Sequence, residues 1–437
     1  MKKLVFTICA LFSTCFVNAE DDMLGIVPFV APSNETIAYD EDEEAFTSTN
    51  SFDVNLVYSK NYIACDFKFY LPSGMFAFVD ESVQPGEILP VKKSGAPYHD
   101  TTIGKTESDI KGYDCYRVMA YHNSSSPKAF NNDESGKSLF KIYYGTKGIA
   151  EGIYPIYVKD VKLTISTTSS VNVDGISTSY VKVGSPKDAT LAVTGLVPSF
   201  VTSALNNETA ITTLDLTAAT TINGDFALMD SRSLILPEKD VTVKRGFYIR
   251  NIPAGHSTLC LPFSYTCGSK NIEIFTFGGL KDGKTLVLTP PDDADGEVNA
   301  NTPVIFRAAN AGTLELATSR PFKLSASTSL TVEKGDVSLV GTYAKLSAPK
   351  GSYVLQSQND MEAFYKVGST QPSVLANRCY LTSAAGEVKA FAFPGCPTAI
   401  DGLETDANES AIYDIAGRKV SKADKGIYIV DGKKVVK

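Results

Sequence analysis

The sequence contains no tryptophan and only three histidines, His99, His122 and His256. Histidine supplies many metal sites and much of the acid–base catalysis near neutral pH, so its scarcity argues against an enzyme. The motifs G-x-S-x-G, H-E-x-x-H, G-x-x-x-x-G-K-[ST] and G-x-G-x-x-G are also absent. We therefore predict a protein that is not an enzyme and that holds no cofactor. Carboxylate pairs of the glycosidase type carry no local spacing, so a divergent glycan-degrading enzyme stays a third alternative.

The chain also lacks an excess of basic residues. It has 41 Lys and Arg against 49 Asp and Glu, a net charge of −8. Proteins that bind nucleic acid carry a basic patch, so we predict no nucleic-acid partner. A hydrophobic content of 43% is ordinary for a globular protein, and 437 residues predict about three domains.

Only one long apolar run is present, from Leu4 to Val17, and it is shorter than the roughly 20 residues that span a bilayer. It follows Lys2 and Lys3 and is followed by the small residue Ala19. This pattern predicts a signal peptide over 1–19, cleaved between Ala19 and Glu20. We expect an exported protein, secreted or at the cell surface, with no transmembrane segment after cleavage.

Export affects how the cysteines are interpreted. Two of the eight leave with the signal peptide, and the six that remain are an even number in a compartment that permits disulfides. The sequence leaves disulfides and buried free thiols equally open. Proximity along the chain favours the pairs Cys65–Cys115, Cys260–Cys267 and Cys379–Cys396.

Apolar and polar residues alternate with a period of two across 47–188, after an acidic lead-in over 20–46. Such alternation predicts strands with one buried face, and many short strands of this kind indicate a two-sheet sandwich. In the segment 61–72, the side chains of Ile63, Cys65, Phe67 and Phe69 should face the core, and those of Ala64, Asp66, Lys68 and Tyr70 should face outward.

Four segments of this region, 67–74, 116–121, 139–142 and 150–161, resemble the cohesin-like and related carbohydrate-module sandwiches of exported proteins from Bacteroides and Prevotella relatives. The resemblance implies an adhesive or glycan-binding module whose partner is a polysaccharide. The alternative is a structural or assembly component that binds other surface proteins through the cohesin-like domain.

The next segment, 189–240, is predicted as a linker with short strands. Its Leu-x-Leu spacings, Leu214–Leu216 and Leu234–Leu236, resemble one or two turns of a leucine-rich repeat. A stacked solenoid needs at least three repeats, and no third is visible. A second β-domain is predicted over 241–396. Its segments 258–263, 301–307, 340–343 and 351–355 resemble a recurrent β-module of Bacteroidales surface proteins.

Two weak metal motifs stand beside these predictions. If strand ends brought His99 and His122 together, the two rings and Asp100 could hold a metal ion. The acidic segment 291–297 has the look of a calcium loop but carries Pro291 where a ligand is needed, so we expect an exposed turn there. In both places the expected answer is no metal.

The linker and tail over 397–437 end in short strands. Ile427–Val430 and Lys433–Val436 are separated by Asp431-Gly432, which predicts a hairpin. The pattern resembles the C-terminal sorting domain of the Bacteroidetes type IX secretion system, which implies contact with the secretion machinery and attachment at the outer membrane. The alternative is a set of strands that closes the preceding domain. The residues that carry the resemblance are Tyr413, Asp414, Gly417, Arg418, Val420, Gly426, Tyr428, Val430, Gly432, Lys433, Lys434 and Lys437.

The predicted fold class is therefore all-β, with tandem β-sandwich domains and a short C-terminal β-hairpin tail. The predicted function is that of a non-catalytic exported surface protein.

Overall fold

The computed structural model of the chain describes residues 22–33, 39–42, 45–46, 50–77, 82–131, 137–173, 175–230, 232–291, 296–325, 328–358, 361–384 and 388–395, together with the backbone of four short C-terminal segments. Almost all regular structure in these ranges is β, which confirms the predicted all-β class. No helix in them is long and apolar enough to cross a membrane.

The first region is a sandwich of two sheets. The strands of this region are β1 (Met23–Ile26), β2 (Phe29–Ala31), β3 (Tyr39–Asp40), β4 (Ala45–Phe46), β5 (Ser51–Val57), β6 (Ala64–Pro72), β7 (Met75–Ala77), β8 (Val83–Pro85), β9 (Asp100–Thr106), β10 (Tyr113–Tyr121), β11 (Ser138–Thr146), β12 (Gly152–Ser166), β13 (Ser169–Val173) and β14 (Ser177–Val183). One sheet has the order β1-β5-β11-β7, with β8 also on β11, and the other runs β14-β12-β6-β10-β9, with β13 on β12 and β2 on β14. β3 and β4 pair only with each other.

The alternation in β6 has the predicted phase. Cys65, Phe67 and Phe69 are buried in the core between the sheets, while Asp66 and Lys68 are half-exposed. Tyr70 departs from the pattern, because it faces outward and is nevertheless 1% exposed.

The sandwich begins earlier than predicted. Residues 23–31, assigned to the acidic lead-in, form β1 and β2, which pair with β5 and β14. Leu24 and Ile26 are fully buried. With four and three residues, these strands are too short to show a period of two, and the acidic run that follows is the stronger local signal. Glu41 and Asp42 of that run are exposed.

The structure corrects the predicted linker over 189–240, which is ordered and buried. It consists of β15 (Ala189–Val197), α1 (Ser199–Leu205), β16 (Ile211–Met229) and β17 (Ser233–Ile235), followed by β18 (Val241–Ile252). We call 189–252 the coil stack, because β15 and β16, β16 and β17, and β16 and β18 pair in parallel.

Aliphatic ladders hold the coil stack together. Leu191, Leu214 and Leu234 lie in register on neighbouring strands, and all three are buried. Parallel strands joined by long connections bury such ladders as one continuous core. The third turn, which the Leu-x-Leu search did not find, is β15, where Leu191-Ala-Val193 carries valine in place of the second leucine.

The strands of the last region are β19 (Gly255–Leu259), β20 (Ile272–Lys281), β21 (Thr285–Thr289), β22 (Val304–Ala308), β23 (Gly312–Ala317), β24 (Phe322–Leu324), β25 (Thr331–Lys334), β26 (Val337–Thr342), β27 (Leu346–Ser347), β28 (Tyr353–Gln358), β29 (Met361–Lys366), β30 (Ser373–Val374), β31 (Arg378–Ser383) and β32 (Ala390–Ala392). Ten of them form one sheet, from β19 at one edge to β25 at the other, whereas β23 and β24 pair with β18 and β27 pairs with β30.

Position 241 is not a clean domain boundary. β18 pairs with β16 on one side and with β23 and β24 on the other, so the sheet of the coil stack continues into the last region. One hydrophobic core also joins the two. The turn at Lys281–Lys284 is a tight hairpin of the Asp-Gly type, with positive φ at Asp282 and Gly283.

A charged hub ties the coil stack to the ten-stranded sheet. Asp230, just after β16, accepts hydrogen bonds from Arg378 of β31 and, at 3.0 Å, from Tyr248 of β18. Arg250 lies 3.8 Å from the same carboxylate, and both arginine side chains are about nine-tenths buried. Burial, and then the positive charge of Arg378, lowers the pKa of Arg250.

The tail forms a sheet of its own, of order β34-β33-β35-β36. Its strands are β33 (Ile412–Asp414), β34 (Lys419–Val420), β35 (Ile427–Val430) and β36 (Lys433–Val436). The predicted hairpin is confirmed, because Val430 pairs with Lys433.

Candidate functional site

The outer face of the sheet β12-β6-β10-β9 carries an unusual arrangement of charge. The side chains of alternate residues point away from the core, and the strand register places them in rows across the sheet. One row consists of Gly104, Arg117, Lys68 and Lys159, so three positive charges stand on three neighbouring strands. We call Arg117, Lys68 and Lys159 the basic row.

Each member of the basic row has an acidic partner. Arg117 donates two hydrogen bonds to Asp66, at 2.8 and 2.5 Å. Lys68 lies 2.8 Å from Asp160, and Lys159 donates to Asp109. These partners stabilise the charged forms: Asp160 raises the pKa of Lys68, and Lys159 lowers the pKa of Asp109.

Like charges directly opposite each other on neighbouring strands destabilise a sheet. The ion pairs that offset this repulsion here are solvent-exposed, with 51% of the Arg117 side chain and 48% of the Asp160 side chain accessible. Exposed pairs contribute only about 0–1 kcal/mol each. The basic row is therefore not explained by a need for stability.

A small apolar cluster lies beside the basic row on the same face. Tyr70, Cys115 and Tyr157 are cross-strand neighbours and are buried. They are covered by Ile110, from the loop that also carries Asp109. The Tyr70 hydroxyl hydrogen-bonds the Asp109 carboxylate, which explains why this outward-facing residue is buried.

A shallow cavity of about 430 Å³ opens next to these residues. Asp66, Lys159, Asp160 and Lys162 contribute its charged walls, and Ile176 lies at its apolar side. The outer face thus combines a charged row, an apolar cluster and a concave edge. Sequence reasoning placed Asp66 and Lys68 on this face, but the row itself depends on the strand register.

The structure brings His99 and His122 together, as the weak metal motif required. Their ring centroids are 5.6 Å apart. Asp100 does not join them, because it is the next residue along β9 and its exposed side chain points to the opposite face. Burial lowers the pKa of His99, a residue that is 1% exposed.

The third histidine has a different environment, which the sequence did not indicate. His256 Nδ1 is 2.7 Å from a carboxylate oxygen of Glu362, and the ring stacks on Phe393 at 3.7 Å between centroids. Across the described ranges, no group of three or more His, Cys, Asp or Glu residues is placed to hold a metal ion.

The disulfide pairings favoured by proximity do not form among the cysteines that the structure describes. Cys65, Cys115, Cys260, Cys267 and Cys379 are all free thiols. Cys115 pairs across strands with Tyr70, five residues from Cys65, a separation of about 16 Å along the strand and far beyond disulfide reach. The buried-thiol alternative fits Cys65, Cys115, Cys260 and Cys379, whereas Cys267 is half-buried.

Several predicted residues lie outside the described ranges: the cleavage site Ala19–Glu20, Cys396, Asp293 and Asp295 of the calcium-like turn, and Gly417, Arg418, Gly426, Gly432 and Lys437 of the tail. The other tail residues, Tyr413, Asp414, Val420, Tyr428, Val430, Lys433 and Lys434, lie in the strands of the tail sheet.

No protein-family model and no curated protein matches the chain. Solved structures with some likeness to it are cohesins. A non-cellulosomal cohesin from the archaeon Archaeoglobus fulgidus is 8% identical, with a TM-score of 0.23, over 38% of this chain and 93% of the cohesin. A cohesin module of a Clostridium perfringens family 33 glycoside hydrolase is 9% identical, with a TM-score of 0.22, over 38% of this chain and 96% of the module.

A type II cohesin dyad from an adaptor scaffoldin of Acetivibrio cellulolyticus is 11% identical, with a TM-score of 0.25, over 72% of this chain and 85% of the dyad. Identities and TM-scores this low carry no argument about the site, which is described by the chain's own strands and side chains.

Proposed function

We propose that this chain is a non-catalytic binding protein that docks another protein on the outer face of its first sandwich. The observation that carries the proposal is the basic row, in which Arg117, Lys68 and Lys159 stand side by side although like charges oppose the pairing of their strands. A sheet selected only for stability would alternate the charges.

The exposed ion pairs of the row suit exchange with a partner. Because each pair contributes little to folding, Asp66 or Asp160 can give up its cation to a carboxylate of a docked protein at small cost. Complementary charges across an interface also give specificity and fast association. The partner's chemistry is therefore an acidic protein surface.

Reversing the charge of the row should weaken docking. We expect R117E combined with K68E to lower the affinity for a captured envelope protein at least about tenfold, because two attractive pairs become repulsive. The measurement is capture from envelope extracts at two salt concentrations, followed by a binding titration with the purified partner.

The matched control is R245E, which breaks a similarly exposed pair with Asp225 on the coil stack. It should leave capture unchanged. Capture of the same proteins by the parent, by the R117E/K68E variant and by R245E would contradict docking on the outer face. Retention of polysaccharide alone would favour a glycan-binding module.

The aromatic residues give little support to a flat platform for stacking sugars. Tyr121, which is 39% exposed, is the only exposed aromatic among the described residues.

We also propose that the chain is exported and that its tail acts as a sorting label. The support is the N-terminal apolar run and the four-stranded tail sheet, which pairs with no other sheet in the described ranges. Removing residues 400–437 should leave the protein in the periplasm with its melting temperature intact. A lower melting temperature with an unchanged location would instead identify the tail as an end-piece of the fold.

A further inference from the structure

His99 and His122 are held on one face by the strand register. Tyr121 pairs with Asp100 at the end of the β9–β10 ladder, so the next positions outward are His122 and His99. Side chains alternate along a strand, which turns both imidazoles inward under the loop that carries Phe130. Phe130 packs against the His99 ring at 5.4 Å, and Tyr98 stacks on His122 at 5.7 Å. Both rings are therefore fixed in position.

Each ring buries a nitrogen that has no well-formed hydrogen bond. Among the described residues, no group meets hydrogen-bond geometry with the Nδ1 atoms of His99 and His122, although the main chain of Lys128 lies close to the His99 ring. Burying a polar atom without a partner costs free energy, so such atoms are rare in folded proteins. Two of them on adjacent rings point to a shared ligand.

The other nitrogen of His99 prepares Nδ1 for that role. His99 Nε2 lies 3.0 Å from the carbonyl oxygen of Ile63, so Nε2 carries the hydrogen and donates it. The lone pair is then on Nδ1. Histidines that bind metals commonly donate their second ring N–H to a backbone carbonyl in this way, which fixes the tautomer and the ring orientation.

The spacing of the rings fits one metal ion between them. With a metal–nitrogen distance of about 2.0–2.1 Å and tetrahedral geometry, the centroids of two bound imidazoles lie about 5.2 Å apart. The observed separation is 5.6 Å, with 79° between the ring planes. A shift of a few tenths of an ångström would close the site.

We propose that His99 and His122 bind one divalent transition-metal ion, zinc first of all, through their Nδ1 atoms. The main chain of Lys128 lies beside the His99 ring and can add an oxygen ligand, with water completing the shell. Imidazole nitrogens select such metals over calcium or magnesium. The ammonium groups of Lys92 and Lys128, 5.9 and 5.6 Å from the Tyr98 ring, oppose the added charge, which makes the expected affinity moderate.

The test is isothermal titration of the metal-stripped full chain with zinc chloride. One zinc per chain should bind with a dissociation constant on the order of micromolar. H122A should weaken binding at least about tenfold while keeping the fold, because His122 is only half-buried. H256A is the matched control, since it removes the histidine that pairs with Glu362 in the last region, and it should bind zinc as the parent does.

A chain with no heat of binding up to about 1 mM zinc would overturn the proposal and leave a bridging water as the occupant of the site. Equal affinities for the parent and H122A would overturn it as well, and would point to the free thiols. The basic row lies on the opposite face of the sheet, so failure of zinc binding would leave the proposed docking function untouched.

Discussion

Replacing Asp230 by asparagine should lower the free energy of unfolding by about 2–3 kcal/mol. The substitution removes the negative charge that lies beside the largely buried guanidinium groups of Arg250 and Arg378. Breaking a buried ion pair leaves its partner charge without compensation, and here two partners are affected. The loss is smaller than for a fully buried pair, because 35% of the Asp230 side chain is exposed. Urea denaturation measures it.

The matched control is D225N, which neutralises the carboxylate of an exposed pair with Arg245 and should change stability by no more than about 0.5 kcal/mol. A second experiment combines R378M with D230N. Because R378M removes one of the two positive charges left without a partner, the double variant should recover part of the stability lost in D230N. Equal losses in D230N and D225N, or a further loss in the double variant, would show that the hub does not fasten the coil stack to the last region.

Replacing Gly195 by alanine should destabilise the protein still more, by about 4 kcal/mol. An added Cβ would lie 2.1 Å from the carbonyl oxygen of Ile176, and the residue has φ +71°. That carbonyl cannot easily move, because it accepts a hydrogen bond from the amide of Leu196 at 2.7 Å. The clash falls where the first sandwich meets the coil stack.

G148A separates the two causes of this loss. Gly148 has nearly the same φ, +69°, but no heavy atom lies within 4 Å of an added Cβ. The left-handed backbone alone should cost about 1 kcal/mol. Equal losses in the free energy of unfolding for G195A and G148A, measured by denaturant titration, would show that the close packing at the junction does not contribute to stability.

The longer strands of the first sandwich could be predicted from the sequence because they carry their own period of two. The alternation of Cys65, Phe67 and Phe69 with half-exposed Asp66 and Lys68 is a local signal, and so is the Asp282-Gly283 turn. The pairing of strands is not local. Leu191, Leu214 and Leu234 form one ladder, but 23 and 20 residues separate them along the chain and one turn uses valine, so no repeat was apparent.

The same limit applies to the candidate sites. Arg117 and Lys68 are 49 positions apart, and only the register of β6 and β10 makes them neighbours. The chemistry of His99 and His122 suggests a common site, but the inward direction of both rings and the outward direction of Asp100 follow from the ladder between β9 and β10. The period-two alternation predicted the all-β class correctly, and the hydrophobic content predicted a globular protein with buried cores.

The most direct test of docking on the outer face is to block it without disturbing the fold. Gly104 lies in the basic row, and no heavy atom is within 4 Å of an added Cβ. G104W should therefore keep the melting temperature, and its single tryptophan should show the emission of a water-exposed ring. G312W is the matched control, at an equally open glycine on β23.

The measurement is the affinity of G104W, G312W and the parent for the envelope protein that the parent captures. The account predicts that G104W loses affinity at least about tenfold while G312W binds like the parent. A folded G104W that binds as tightly as the parent would contradict the assignment of the outer face as the docking surface.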